Sequence, residues 1–292
     1  MSNKIGIIGI GFLGKAVAKH LLDSGYKLTV YNRTKEKAMA IQSPNVTVVS
    51  QPKDVARYCD LVIIIVKDAK SVEEVSFGQN GIVKENHDGL VVADMSTIDP
   101  TSSKSIAKKF SDNGIMKIDI PVMGGPPLAI KGELLMMISG DKKAYEKNKK
   151  VFDVIASKTF YIGGSGSANA VKLAMNLQIS MLALAISEGI TLTREAGLDP
   201  EIFLNILNST YFKTGMSENK AYKMVKGNYN PTFTLKMLKK DLDTINQTAK
   251  ELNLKLPMAT QANQIYQHAT DSGFGELDYT GILSYLERIV RK

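Results

Sequence analysis

The chain has 292 residues, more than a single hydrophobic core usually organises, so two domains are expected. Hydrophobic residues make up 44% of it, yet the longest unbroken apolar runs are Leu61 to Val66 and Met181 to Ile186, short of the roughly 18 residues of a membrane span, and no membrane partner is expected. One cysteine, Cys59, and three scattered histidines leave neither an intrachain disulfide nor a metal-ligand cluster, and the +8 charge is spread along the chain, so metal and nucleic acid are not expected either.

Met1 to Lys4 leads directly into a strand with no room for a signal peptide, which reads as a cytoplasmic protein. Lys4 to Ile8 is a short apolar run that ends at Gly9-Ile10-Gly11-Phe12-Leu13-Gly14, after which Ala16, Val17, Leu21 and Leu22 recur at helical spacing. Strand, glycine turn and helix are the context in which this pattern binds a dinucleotide. Gly9 permits the tight turn, Gly11 lets backbone approach a pyrophosphate, and Gly14 lets helix and strand pack closely. The helix start, Phe12 and Leu13 included, offers free N–H groups to the phosphates.

The next strand, Lys27 to Tyr31, ends at Asn32-Arg33-Thr34, about 20 residues on, where an NAD site usually places a carboxylate against the ribose. No acid stands there. Arg33 can make charge-assisted bonds to a 2′-phosphate, with Asn32 and Thr34 as neutral donors, so the expected cofactor is NADP(H). Strands near residues 46–49, 61–66 and 90–93, alternating with helices near 52–58, 71–75 and 100–110, predict a largely parallel, doubly wound sheet. Ligands lie at the carboxyl ends of such strands, where Val66, Lys67, Ser96 and Thr97 fall. Ser96 is equally well placed to cap the following helix.

A strand ending at Pro121 runs into Val122-Met123-Gly124-Gly125-Pro126-Pro127, a loop that either binds a small carboxylate through its backbone or merely connects elements. Strands near 134–139 and 158–162 flank a helix beginning near Asp141, whose lysine run from Lys142 to Lys150 reads as a solvated face. Gly163 to Gly166 then opens a helix over 170–194 that is apolar on several sides and is expected to be buried between domains or subunits. Lys172 and Asn176 stand four residues apart, hence on one face of it. Helices are predicted over 200–208, 218–226, 234–252, 257–270 and 279–290. The expected architecture is an α/β Rossmann-type domain over 1–163, joined by the long helix to an all-α domain over 164–292.

With these residues in hand, the chain resembles the β-hydroxyacid dehydrogenase family, which includes 3-hydroxyisobutyrate dehydrogenases and glyoxylate/succinic semialdehyde reductases. The resemblance rests on Gly9 to Gly14, Asp94 to Pro100, the loop Asp119 to Gly132, Gly166 to Asn176, and Lys239-Lys240-Asp241-Leu242. It implies hydride exchange between NADP(H) and a small hydroxy acid or its semialdehyde, with Lys172 as general acid/base and Asn176 holding the reacting group. Ser96, Met123, Gly124 and Gly125 would take the substrate carboxylate, and Lys240 would lie close to the cofactor. Met123 stands where the family commonly has serine, which weakens a standard 3-hydroxyisobutyrate assignment. A homodimer or homotetramer is expected, since an all-round apolar helix would otherwise be exposed.

Overall fold

The structure, a computed structural model, describes residues 4–290. The chain divides into two compact units, Met1–Lys172 and Leu173–Lys292, and the division falls inside the long helix, after Lys172.

The first unit is built on strands β1 (Ile5–Ile8), β2 (Leu28–Tyr31), β3 (Val46–Val48), β4 (Leu61–Ile64), β5 (Val91–Asp94), β6 (Met116–Asp119), β7 (Val122–Met123), β8 (Leu134–Gly140) and β9 (Ala156–Gly163). They form one sheet in the order β3-β2-β1-β4-β5-β6-β8-β7, with β9 paired to β8. From β3 to β6 all pairs are parallel, and β8 turns antiparallel against β6 and β7. The helices are α1 (Phe12–Asp23), α2 (Lys35–Met39), α3 (Pro52–Tyr58), α4 (Ala69–Phe77), α5 (Pro100–Asp112), α6 (Gly125–Ala129), α7 (Lys142–Ile155) and the start of α8 (Ser167–Glu195).

Because side chains alternate across a strand, the central strands feed two cores. Ile5, Ile7, Leu61, Ile63, Val91 and Ala93 join Val17 and Leu21 of α1 and Phe152 of α7. Ile8, Val62, Ile64 and Val92 join Val55 of α3, Val72 of α4 and Phe110 of α5 on the other face. Strands buried on both faces read as continuous apolar runs, which is why they were legible as strands.

The second unit continues α8 and adds α9 (Pro200–Asn208), α10 (Gly215–Asn219), α11 (Ala221–Val225), α12 (Leu235–Glu251), α13 (Pro257–Ala269) and α14 (Ile282–Val290). Leu238, Leu242 and Ile245 of α12 pack with Ala262 and Tyr266 of α13 and with Leu184 of α8. The helix predicted over 218–226 is two helices, broken at Lys220 (φ −108°, ψ −35°). The Lys220 side chain donates to both carboxylate oxygens of Asp278, at 2.9 and 3.0 Å, and its ammonium sits 4.2 Å from the Tyr279 ring centre.

By length and composition alone α8 is apolar enough to cross a membrane, which the count of unbroken apolar runs did not register. Its buried positions include Asn169, Lys172, Asn176, Ser180 and Ser187, a polar content suited to a site. The all-round burial expected of α8 is not met within the chain, since Val171, Met175 and Leu192 are exposed.

Candidate active site

The glycine turn after β1 takes its shape from what a side chain would strike. Gly9 has φ +105°, and a Cβ there would stand 2.1 Å from the Ile65 carbonyl oxygen. A Cβ on Gly14 would stand 2.0 Å from the Gly9 oxygen, whereas around Gly11 a Cβ would meet nothing within 4 Å. Two glycines therefore serve packing, and the third leaves open space at the start of α1. Gly11 is the N-cap of that helix and supplies no side-chain acceptor, so the first N–H groups have no side-chain cap. Open space before free N–H groups at the positive end of a helix fits a pyrophosphate.

Asn32, expected as a phosphate donor, also braces the turn. Its Oδ1 accepts the Ile10 N–H at 2.8 Å and its Nδ2 donates to the Thr34 carbonyl at 2.8 Å, tying the glycine turn to the end of β2. Arg33 and Thr34 are exposed beside it, and Phe12 is 62% exposed at the helix start.

At the ends of β4 and β5 the Ser96 hydroxyl accepts the Val66 N–H at 3.0 Å, and the Ser96 N–H donates to Asp94 Oδ1 at 2.9 Å. Ser96 does not cap α5. That role belongs to Asp99, whose Oδ1 accepts the Ser102 N–H at 2.7 Å. Lys67 is exposed and pairs with Asp68, and Thr97 is half-buried. Asp94 is itself buried with Oδ2 unpartnered among the described residues, and burial pushes its carboxyl up to about 6, against the pull of the Lys117 charge.

The loop after β7 holds a short helix that its sequence hid. Pro126 stands in the first turn of α6, where a proline costs no hydrogen bond, so the proline run starts a helix rather than preventing one. Gly124 (φ +125°) and Gly125 (φ +67°) make the turn into it. Met123 is half-buried, and its Sδ lies 3.2 Å from Lys172 Nζ. Lys172 is only 9% exposed, in the second turn of α8. The first unit thus brings together Lys172 and Met123.

In the second unit Asn176 is buried one helical turn after Lys172, and its Nδ2 donates to Asp241 Oδ2 at 2.6 Å. Asn176 Oδ1 has no partner among the described residues, which leaves a buried acceptor for a ligand. Lys240 Nζ stands 2.5 Å from Asp241 Oδ1. Asp241 adjoins Lys240 in the sequence, and nothing in the local pattern signals its bond to Asn176. Asn169 was also missed: it is buried with Oδ1 unpartnered among the described residues.

Two family models match. The NAD binding domain of 6-phosphogluconate dehydrogenase covers residues 4–163, and the NAD-binding domain of NADP-dependent 3-hydroxyisobutyrate dehydrogenase covers 166–286. The chain is 31% identical to glyoxylate/succinic semialdehyde reductase 2 of Arabidopsis thaliana over 97% of its own length and 79% of that protein's. It is 30% identical to the cytokine-like nuclear factor N-PAC of Xenopus tropicalis over 91% of its length, spanning half of that longer protein. Among solved structures, 3-hydroxyisobutyrate dehydrogenase from Salmonella typhimurium superposes with a TM-score of 0.87 at 26% identity, covering 97% of this chain and 99% of that one.

Proposed function

We propose, from the premise that this chain belongs to the β-hydroxyacid dehydrogenase family and is an oxidoreductase with a nicotinamide dinucleotide cofactor, that it uses NADP(H) on a small carboxylate-bearing semialdehyde or oxo acid. The observation that carries the proposal is the burial of the Lys172 amine in the second turn of α8, against Met123 of the glycine-rich loop. A buried lysine beside a glycine-rich loop is placed to handle a proton.

The dinucleotide, when bound, supplies or accepts the hydride. Lys172 gives a proton to the carbonyl oxygen in reduction and takes one from the hydroxyl in oxidation. Asn176, steadied by Asp241, presents its unpartnered Oδ1 to the reacting group. Ser96 and the backbone at Gly124 and Gly125 hold the carboxylate, and Arg33 selects the 2′-phosphate. Met123 gives the substrate an apolar, deformable neighbour beside Lys172. We propose a cytoplasmic protein that assembles as a homodimer or homotetramer, the assembly alone being supported by the apolar exposure of Val171, Met175 and Leu192 on α8.

The test is oxidation of NADPH and of NADH against glyoxylate, succinic semialdehyde, methylmalonate semialdehyde and similar oxo acids. Lys172→Ala should lower kcat by roughly 10²- to 10⁴-fold with dinucleotide binding kept. Arg33→Ser should cut the NADPH-over-NADH preference by roughly ten- to a hundredfold, the worth of one charged hydrogen bond. Full activity in Lys172→Ala would sink the mechanism.

A second reading is a dinucleotide-binding protein without turnover, favoured by the similarity to a protein named as a nuclear factor. The presence of Lys172 speaks against it. Dinucleotide binding without oxidation of any substrate in the panel would decide for it.

A further inference from the structure

Strand β6 carries two charges on one face. Lys117 and Asp119 are two residues apart, so their side chains share a side of the sheet, and both are buried. In register beside Asp119 stand Asp94 on β5 and Ser139 on β8. A buried ion pair is poor value as a stabiliser, because desolvation cancels most of its attraction, so where its hydrogen bonds lead is informative.

They lead to the start of α8. Asp119 Oδ1 accepts from the Ser103 hydroxyl at 2.6 Å and from Lys117 Nζ, which also donates to Ser103 Oγ at 2.9 Å. Asp119 Oδ2 accepts the Gly166 N–H at 2.8 Å and the Ser139 hydroxyl at 2.8 Å. Ser139 Oγ in turn accepts the Ala168 N–H at 3.1 Å. Two N–H groups at the first turn of α8 are therefore held by side chains of two strands rather than by a local cap. Gly166 adds a third constraint: at φ +86°, a Cβ on it would stand 2.7 Å from the Pro100 carbonyl oxygen.

We propose that Asp119 and Ser139, with Lys117 as counter-ion, are positioning residues that fix the rotation of α8 about its axis and thereby aim Lys172. The proposal rests on the reading of Lys172 as the proton carrier. Ala168 and Lys172 are four residues, roughly 6 Å of helix rise, apart. The lysine amine stands roughly 8 Å from the helix axis, counting the helix radius and an extended side chain, so a rotation of about 10° carries it roughly 1.4 Å. Displacements of that size cost about a hundredfold in rate when a proton must be delivered in line.

Ser139→Ala removes only the hydroxyl that links Asp119 to the Ala168 N–H, and Asp119→Asn weakens the anchor itself. In each variant of the full chain we would measure amide exchange at Gly166 and Ala168, the rate of acylation of Lys172 by mass spectrometry, dinucleotide affinity, and kcat with the best substrate of the panel. The proposal expects faster exchange at Ala168 in Ser139→Ala, a changed Lys172 acylation rate, dinucleotide affinity within twofold of the parent, and kcat at least tenfold lower. Unchanged Lys172 acylation in both variants, or kcat and dinucleotide affinity falling together with the folded fraction, would overturn it. If the parent turns over no substrate, the dehydrogenase reading fails by itself, and the exchange and acylation rates still decide whether these residues aim Lys172.

Discussion

Asp94→Asn should flatten the pH dependence of stability between pH 4.5 and 7.5. Burial raises the Asp94 carboxyl from its usual 3.8 to about 6, so between those values the folded protein holds a proton that the unfolded chain has released. Stability contributed by the neutral form is thus full below 3.8 and is lost as pH rises through about 6. A rise of 2.2 units (6 − 3.8) corresponds to about 3 kcal/mol across the whole window, of which about 2 kcal/mol falls between pH 4.5 and 7.5. Asparagine keeps an oxygen for the Ser96 N–H, but its amide nitrogen replaces an oxygen that has no partner among the described residues. That replacement carries its own cost, of about 1–3 kcal/mol, but a cost that does not vary with pH. Guanidinium unfolding followed by circular dichroism, for parent and variant at both pH values, isolates the titrating part as a double difference. Equal pH slopes in the two proteins would refute the assignment of a buried proton to Asp94.

Gly9→Ala and Gly11→Ala should behave oppositely. The first forces a Cβ to 2.1 Å from the Ile65 oxygen at positive φ and should lower the melting temperature as well as dinucleotide binding, whereas the second meets no protein atom within 4 Å and should weaken binding with the melting temperature kept. Calorimetric titration with NADPH beside thermal melts separates the two outcomes. Lys220→Met strands Asp278, 5% exposed in its side chain, and should cost on the order of 3 kcal/mol in denaturant unfolding, reduced toward the low end of buried-pair losses because Lys220 itself is 28% exposed. Asp99→Ala removes the N-cap of α5 and should cost about 1 kcal/mol in the same assay, while Ser102→Ala, which leaves the capping N–H in place, should cost less.

What was legible in the sequence was what local geometry forces. A strand followed by Gly9 and Gly14 announces itself because only glycine tolerates the contacts at those two positions, Gly11 between them leaves open space at the helix start, and α8 announces itself by length. Arg33 follows the end of β2 and is exposed there, at the distance from the glycine turn that the fingerprint fixes. What was not legible depended on partners distant in sequence. Ser96 is placed ahead of a helix as a cap would be, but its hydroxyl accepts the Val66 N–H, thirty residues back, and Asp99 does the capping. Helical periodicity runs straight through Lys220, where the structure has two helices, and the bond from Lys220 to Asp278, 58 residues on, has no signal in the local pattern. Asp241 was hidden in the same way, since its bond to Asn176 spans 65 residues. The helix at Gly125–Ala129 was obscured by its prolines, which signal a loop unless they fall in a first turn.

Asp94 and Asp119 show most directly why buried charge resists sequence reading. They are register partners on adjacent parallel strands, equally removed from water, and burial alone would raise both carboxyls. Yet Asp94 is raised while Asp119 is held below the ordinary carboxylate range. The difference lies in the donors. Asp94 is served by Ser96 alone, through its N–H and its hydroxyl, and one of its oxygens has no partner among the described residues. Asp119 receives Lys117, Ser103, Ser139 and the Gly166 N–H, and the Lys117 charge with these bonds outweighs desolvation. Two like carboxylates this close would compete for ionisation, so the one with the donors takes the charge and the other keeps a proton into mildly acidic solution. The charge therefore sits on the residue that holds the start of α8, and a change that moved it to Asp94 would loosen the helix carrying Lys172 even if every apolar contact in the sheet survived.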